Sequence, residues 1–223
     1  MRISSGIKGF DGLVNNGIPK GDTILLSGPV GSGKKIFGLQ FLYSAAEKEH
    51  GMYISFEDEV GEIKKVASDL KMDTKKMEKE NKLRILRYDP YKLEDLLEVI
   101  ENQIREVSAE RIVIDSASIL GIFIKDAADL RRQLTQMNRV LKKNDCTAII
   151  LSETDGTNIS RFGIEEFVSD GVILLHTALV QDEYRRGLSV IKMRFTDHSK
   201  HIHPYKISSQ GFIVFPNDKF SLS

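Results

Sequence analysis

Gly28-Pro29-Val30-Gly31-Ser32-Gly33-Lys34-Lys35 is the stretch that decides the fold. It follows a short apolar run, Thr23 to Ser27 (T-I-L-L-S), and leads into Lys34 to Lys48, where Ile36, Leu39, Tyr43 and Ala46 recur at helical spacing. Strand, glycine-rich turn and helix in that order, with G-x-x-x-x-G-K spacing, read as a phosphate-binding loop. Glycines let backbone N–H groups turn inward around phosphate oxygens. The helix start adds its partial positive charge, and Lys34 is placed to reach the β- and γ-phosphates. The alternative is a glycine-rich turn that merely caps a helix; the strand–loop–helix context favours a nucleotide, with all eight residues as the binding loop.

The eighth position departs from the usual pattern. Ser or Thr ordinarily stands there and gives its hydroxyl to Mg²⁺; here it is Lys35. An ammonium has no lone pair to offer a metal. At ~4 Å and an effective dielectric near 20, one unit charge pair is worth about 4 kcal/mol, and a divalent ion roughly doubles that repulsion. Either Mg²⁺ is held by Asp115 and waters alone, or Lys35 itself partly neutralises the triphosphate. Both cases predict weak or atypical Mg²⁺ dependence and slow hydrolysis.

Outward from the loop, apolar strand-like runs alternate with helical stripes. Gly51 to Phe56, Leu83 to Arg87, Arg111 to Asp115 and Cys146 to Leu151 read as strands. Ile63, Val66, Ala67 and Leu70 mark one helix, and Leu93, Leu96, Leu97, Ile100, Ile104 and Val107 another, read as core packing. Leu130, Leu134, Met137 and Leu141 mark a third. Lys71 to Lys82 is highly charged and reads as an exposed helical excursion. This alternation implies an α/β fold with a mostly parallel central sheet flanked by helices. After Asp170, Gly171 to His176, Leu188 to Arg194, Pro204 to Ile207 and Phe212 to Phe215 read as strands with short connections, an antiparallel C-terminal extension on one sheet edge. Nothing resembles a linker, so residues 1–223 are expected to form a single domain.

Two acidic features accompany the loop. Asp115 closes an apolar strand, the usual place for the aspartate that orients Mg²⁺ and its waters, against the alternative of a residue capping the next turn. Glu57-Asp58-Glu59 follows the second strand, where a carboxylate would face the γ-phosphate and could position or deprotonate water; an acidic first helical turn is the competing reading. Ser152-Glu153 ends another strand and reads either as a γ-phosphate sensor or as a polar strand terminus.

Several segments together resemble the KaiC-like branch of RecA-type P-loop ATPases, particularly its short single-domain archaeal members. They are Gly9-Phe10-Asp11-Gly12-Leu13 with Gly17-Ile18-Pro19-Lys20-Gly21; Tyr53-Ile54-Ser55-Phe56-Glu57-Asp58; Arg111-Ile112-Val113-Ile114-Asp115-Ser116; the long stretch Ser160 to Gly171; and Lys192-Met193-Arg194 with Thr196 and His198. The resemblance implies a RecA-like fold and ATP as the ligand. It makes Glu57 the residue that activates water, with Asp58 where the family has a second Glu. It makes Lys192 and Arg194 cations presented to the γ-phosphate on a neighbouring subunit, with Met193, Thr196 and His198 contacting that nucleotide across the interface. Such a site implies a homo-oligomer, commonly a hexameric ring. Only one ATPase domain is present where the clock protein has two, so no clock role is carried over. Without a neighbour, Lys192 and Arg194 read as edge-strand charges that discourage sheet aggregation.

Three functions follow as expectations. The first is a slow, oligomeric ATPase that drives or times a protein partner. The second is a regulator or scaffold that holds ATP without turnover, favoured by Lys35. The third, a recombinase-like DNA-binding ATPase, is disfavoured: no aromatic-interleaved basic loop appears, and the 32 basic and 32 acidic residues cancel. Composition agrees with a soluble protein. Of the 223 residues 41% are hydrophobic, enough for a sizeable core. No apolar run is long enough to span a bilayer, and the N-terminus has no apolar signal-like stretch. One cysteine, Cys146, excludes an internal disulfide framework and suits a cytoplasmic setting; it reads as a small core residue. His198, His201 and His203 lie close together, but alternate strand residues point to opposite faces, so no metal is expected there.

Overall fold

The structure is a computed structural model that describes residues 1–154 and 157–220. Its strands in chain order are β1 (Arg2–Ile3), β2 (Ile18–Pro19), β3 (Thr23–Gly28), β4 (Gly51–Ser55), β5 (Leu83–Arg87), β6 (Arg111–Asp115), β7 (Thr147–Glu153), β8 (Gly171–Val180), β9 (Glu183–Met193), β10 (His203–Ser208) and β11 (Gly211–Val214). Its helices are α1 (Lys34–Tyr43), α2 (Val60–Asp69), α3 (Thr74–Lys79), α4 (Leu96–Val107), α5 (Ala117–Phe123), α6 (Ala127–Lys143) and α7 (Glu165–Val168). The main sheet runs β11-β10-β9-β8-β3-β7-β6-β4-β5. From β8 to β5 every neighbouring pair is parallel. From β8 outward to β11 every pair is antiparallel.

The apolar strands sort their residues onto two faces. Ile24, Leu26, Tyr53, Val113, Ile149 and Leu151 join one buried cluster with residues of α1, α2 and α3. Leu25, Met52, Ile54, Ile112, Ile114 and Ile150 join the other with α4, α5 and α6. That period of two, inside strands apolar throughout, is what a parallel sheet covered on both faces requires. Cys146 is buried just before β7, donates to Ala109 O at 3.1 Å, and has its thiol pushed up to about 12 by burial.

Four details correct the sequence reading. α1 ends at Tyr43, and turns replace the expected helix as far as Lys48. The charged Lys71–Lys82 excursion holds only the short α3, and it is anchored: Met72, Thr74 and Met77 are buried. β8 and β9 run to 10 and 11 residues, because the hairpin continues past the parallel partner β3. The small β1–β2 pair and the short helices α5 and α7, whose runs lack a full amphipathic stripe, were not foreseen.

Candidate nucleotide site

The site is built where β3, β4, β6 and β7 end together. Parallel register brings Gly28 beside Glu153 and Ser55 beside Asp115. Residues at the C-terminal strand ends thus share one rim, the usual ligand position of an open α/β sheet. Gly31 and Gly33 both have positive φ, 73° and 90°, which only glycine adopts without strain. Gly33 also lies so close to Ile207 that a Cβ there would sit 2.3 Å from its Cδ1. Gly33 is the N-cap of α1 and, among the described residues, no side chain caps that helix. The first-turn amides therefore have no intrahelical partner and point at the loop.

Two polar atoms favour an anionic ligand. Ser32 Oγ is buried with no hydrogen-bond partner among the described residues, and Ser116 Oγ, next to Asp115, is the same. Leaving such a group unsatisfied costs about 1–3 kcal/mol. Lys34 Nζ donates to the loop's own carbonyls, Gly28 O at 2.7 Å and Pro29 O at 3.0 Å. Burial lowers its pKa, opposed by the carboxylates of Glu153 and Asp115. Amides, an orphaned hydroxyl and a desolvated ammonium fit a polyphosphate. Val30 is exposed at the loop tip.

The donor set does not fit Mg²⁺ in its ordinary place. Magnesium needs oxygen ligands around a small octahedron. The Lys35 ammonium instead forms an ion pair with Asp58 and lies 3.8 Å from Asp115 Oδ2. The same Asp115 oxygen accepts the Tyr53 hydroxyl at 2.6 Å. A cation and a phenol thus already occupy the carboxylate a metal would use.

The remaining acids divide by orientation. Glu57 stands at the rim, where partial desolvation, then the charges of Glu153 and Asp115, hold its carboxyl above the ordinary glutamate value. Ser55 Oγ accepts the Asp58 N–H at 2.9 Å and the Glu57 N–H at 3.3 Å, fixing the turn that carries both acids. Ser152 points away: it is buried and donates to Glu165 at 3.1 Å. Glu153 faces the loop and is held by Arg161 at 2.8 Å.

Lys192, Met193 and Arg194 lie elsewhere. Lys192 pairs across the sheet with Val172 and Met193 with Gly171, and Gly171 lies beside Ile24. Gly28 is four residues on, ~13 Å along the strand. Lys192 Nζ donates to Ser169 O at 2.5 Å and Glu166 O at 3.1 Å. Arg194 donates to the buried Asp170 at 3.0 Å, which also takes Lys142 at 2.8 Å and the Thr23 N–H at 3.0 Å. The Met193 side chain is buried in its own core. Thr196 Oγ1 accepts from Arg2 at 2.7 Å, and His198 Nδ1 lies 3.0 Å from Ser199 O. The structure thus gathers the loop, Glu57, Asp58 and Asp115 at one end of the sheet and residues 192–198 at the other. Among the described residues no His, Cys, Asp and Glu group could hold a metal, the three C-terminal histidines included.

Sequence reasoning missed three neighbours of the loop. The Tyr205 hydroxyl donates to Ser32 O at 2.7 Å, so the C-terminal hairpin braces the loop. Arg186 of β9 comes within 3.5 Å of Gly31 O. Tyr53 reads as a core aromatic and is one, yet its hydroxyl reaches Asp115. The period of two from Tyr53 on one strand and Asp115 on its neighbour was the available signal.

Comparison with known proteins agrees with this geometry. The family model described as "ATPase: KaiC" matches residues 3–219. A UPF0273 protein of Pyrococcus furiosus is 33% identical, covering 97% of this chain and 94% of its own length. The circadian clock oscillator protein KaiC of Parathermosynechococcus lividus is 34% identical over 95% of this chain but 42% of itself, so the chain spans less than half of that clock protein. The crystal structure of a KaiC-like protein from Pyrococcus horikoshii matches with a TM-score of 0.89 at 34% identity, covering 97% of this chain and 99% of that one. It bears out the expected RecA-type sheet with its antiparallel C-terminal strands. With a phosphate loop of this geometry and a family match over nearly its whole length, the chain belongs to the KaiC family of ATPases.

Proposed function

We propose that this protein binds ATP at its phosphate loop and hydrolyses it slowly, in a homo-oligomer whose nucleotides lie between subunits. The observation that carries the reading is the position of Lys192 and Arg194, at the end of the sheet away from the chain's own loop. Their charges cannot serve that loop, but in a head-to-tail ring, such as a hexamer, they meet the loop of the next copy. Exposed apolar side chains at both ends support such stacking: Phe167, Ile191 and Phe195 near the cations, Leu179 and Tyr184 on the hairpin that extends past the loop.

In this reading Lys34 leaves the Gly28 and Pro29 carbonyls for phosphate oxygens, and the α1 amides and Ser32 hydroxyl complete the cradle. Glu57 takes the proton of the attacking water, its raised pKa making it a stronger base than a free glutamate. Lys192 and Arg194 stabilise charge on the neighbour's γ-phosphate, while Met193, Thr196 and His198 shape that face; cations of this kind contribute roughly 10³–10⁵ in rate. An unidentified protein partner would receive the resulting change.

A second reading is an ATP-holding regulator without turnover, and the Lys35 contacts with Asp58 and Asp115 favour it. Sizing the purified protein with and without ATP, alongside a phosphate-release assay, separates the two. A larger ATP-bound assembly with slow phosphate release supports the first reading. A bound nucleotide recovered intact supports the second. No ATP uptake overturns both.

A further inference from the structure

Asp115 and Asp58 share a cation within ion-pair distance, the chain's own Lys35. Lys35 is the second residue of α1, directly after the loop lysine, on the face of the sheet that carries Tyr53 and Val113. Its ammonium pairs with Asp58 and lies 3.8 Å from Asp115, while the Tyr53 hydroxyl occupies the same Asp115 oxygen at 2.6 Å. Of the two arrangements open to a lysine here, a metal held by Asp115 and waters alone is the one this geometry disfavours. The carboxylate already has an ammonium 3.8 Å away and a phenol hydrogen-bonded to it, and a divalent ion would have to displace both. The lysine is only partly buried, at 33% side-chain exposure, so it can turn from Asp58 toward an arriving phosphate without breaking a packed core.

We propose that Lys35 replaces the divalent cation of this site, so that the protein takes up ATP as the metal-free nucleotide. Asp58 is then a positioning residue: it keeps the ammonium at the metal position while the site is empty. This inference rests on the ATP reading above and goes beyond it in naming the form of ATP that binds.

The test is calorimetric titration of ATP into the full-length protein, in EDTA and in excess MgCl₂, for wild type, Lys35→Thr and Asp58→Asn. Wild type is expected to bind at least about tenfold more weakly in excess MgCl₂, where Mg²⁺ sequesters the free nucleotide, whereas Lys35→Thr, which regains a hydroxyl, is expected to bind at least about tenfold tighter with Mg²⁺. Asp58→Asn keeps the lysine, so it too is expected to bind more weakly in excess MgCl₂, and it serves as the folded control should the first variant lose structure by circular dichroism. Wild-type binding as tight or tighter in excess MgCl₂ overturns the proposal while leaving the ATP reading intact. Binding in neither buffer overturns the ATP reading and this proposal together.

Discussion

The Tyr53 hydroxyl donates to Asp115 Oδ2 at 2.6 Å across the β4–β6 pair. A buried phenol thus holds the carboxylate that faces the loop, and burial with the adjacent charge pushes the phenol's pKa well up, so it stays a donor. Tyr53→Phe removes one hydrogen bond to a charged acceptor and leaves the ring packing in place. The expected loss is about 1.5–3 kcal/mol, read by urea denaturation. A variant as stable as wild type would mean that Asp115 finds its donor elsewhere.

Glu57→Gln removes the proposed base and keeps the shape. Phosphate release is expected to fall by on the order of 10²–10⁴ while ATP binding persists. The direction of the pKa shift adds a second check. The carboxylate form is the base, so the rate rises as pH rises through the Glu57 value, which burial and the charges of Glu153 and Asp115 hold up. Glu153→Gln removes one of those charges, so the acidic limb of the pH–rate profile moves to lower pH. A limb that stays put removes Glu57 from the role.

Asp22 carries a stability prediction. It sits at the entry to β3, where burial, followed by the Asp170 charge, raises its pKa from 3.8 to about 6. The folded state therefore binds more protons than the unfolded chain between those values, and stability falls as pH rises through that window. Above about 6 the penalty is fully present; below the unfolded value it vanishes. Asp22→Asn is expected to raise the melting temperature at pH 7.5 and to leave it near wild type at pH 3.5. Scanning calorimetry at the two values checks it, and an equal shift at both contradicts it.

Much of the fold could be read from the chain because its signals are local. The T-I-L-L-S strand, the loop and the Lys34 helix start needed only spacing, and the α4 and α6 stripes announced themselves by period. What escaped depends on distant pairs. Tyr205 braces Ser32 across 173 positions, and no local pattern marks a tyrosine as a loop brace. Lys35 was legible as an anomaly, but its seat between Asp58 and Asp115 follows from strand register, which puts Ser55 beside Asp115. Helix α1 ends at Tyr43 although Phe41 and Leu42 of its last turn are buried, so the Ile36–Ala46 spacing does not mark its end. Ser152, read as a possible phosphate sensor, turns inward because Glu165, itself buried, needs hydroxyl donors.

The central claim is that one copy supplies the phosphate loop and the next supplies the cations. Subunit complementation tests it most directly: Lys34→Ala and the double variant Lys192→Ala, Arg194→Ala, each checked for folding, are assayed for ATP hydrolysis separately and after mixing. Each alone is expected to be nearly inactive. Random assembly of a 1:1 mixture pairs an intact loop with intact cations at about a quarter of head-to-tail junctions, so activity should return to about a quarter of wild type. A mixture no more active than its two components taken separately would contradict the account.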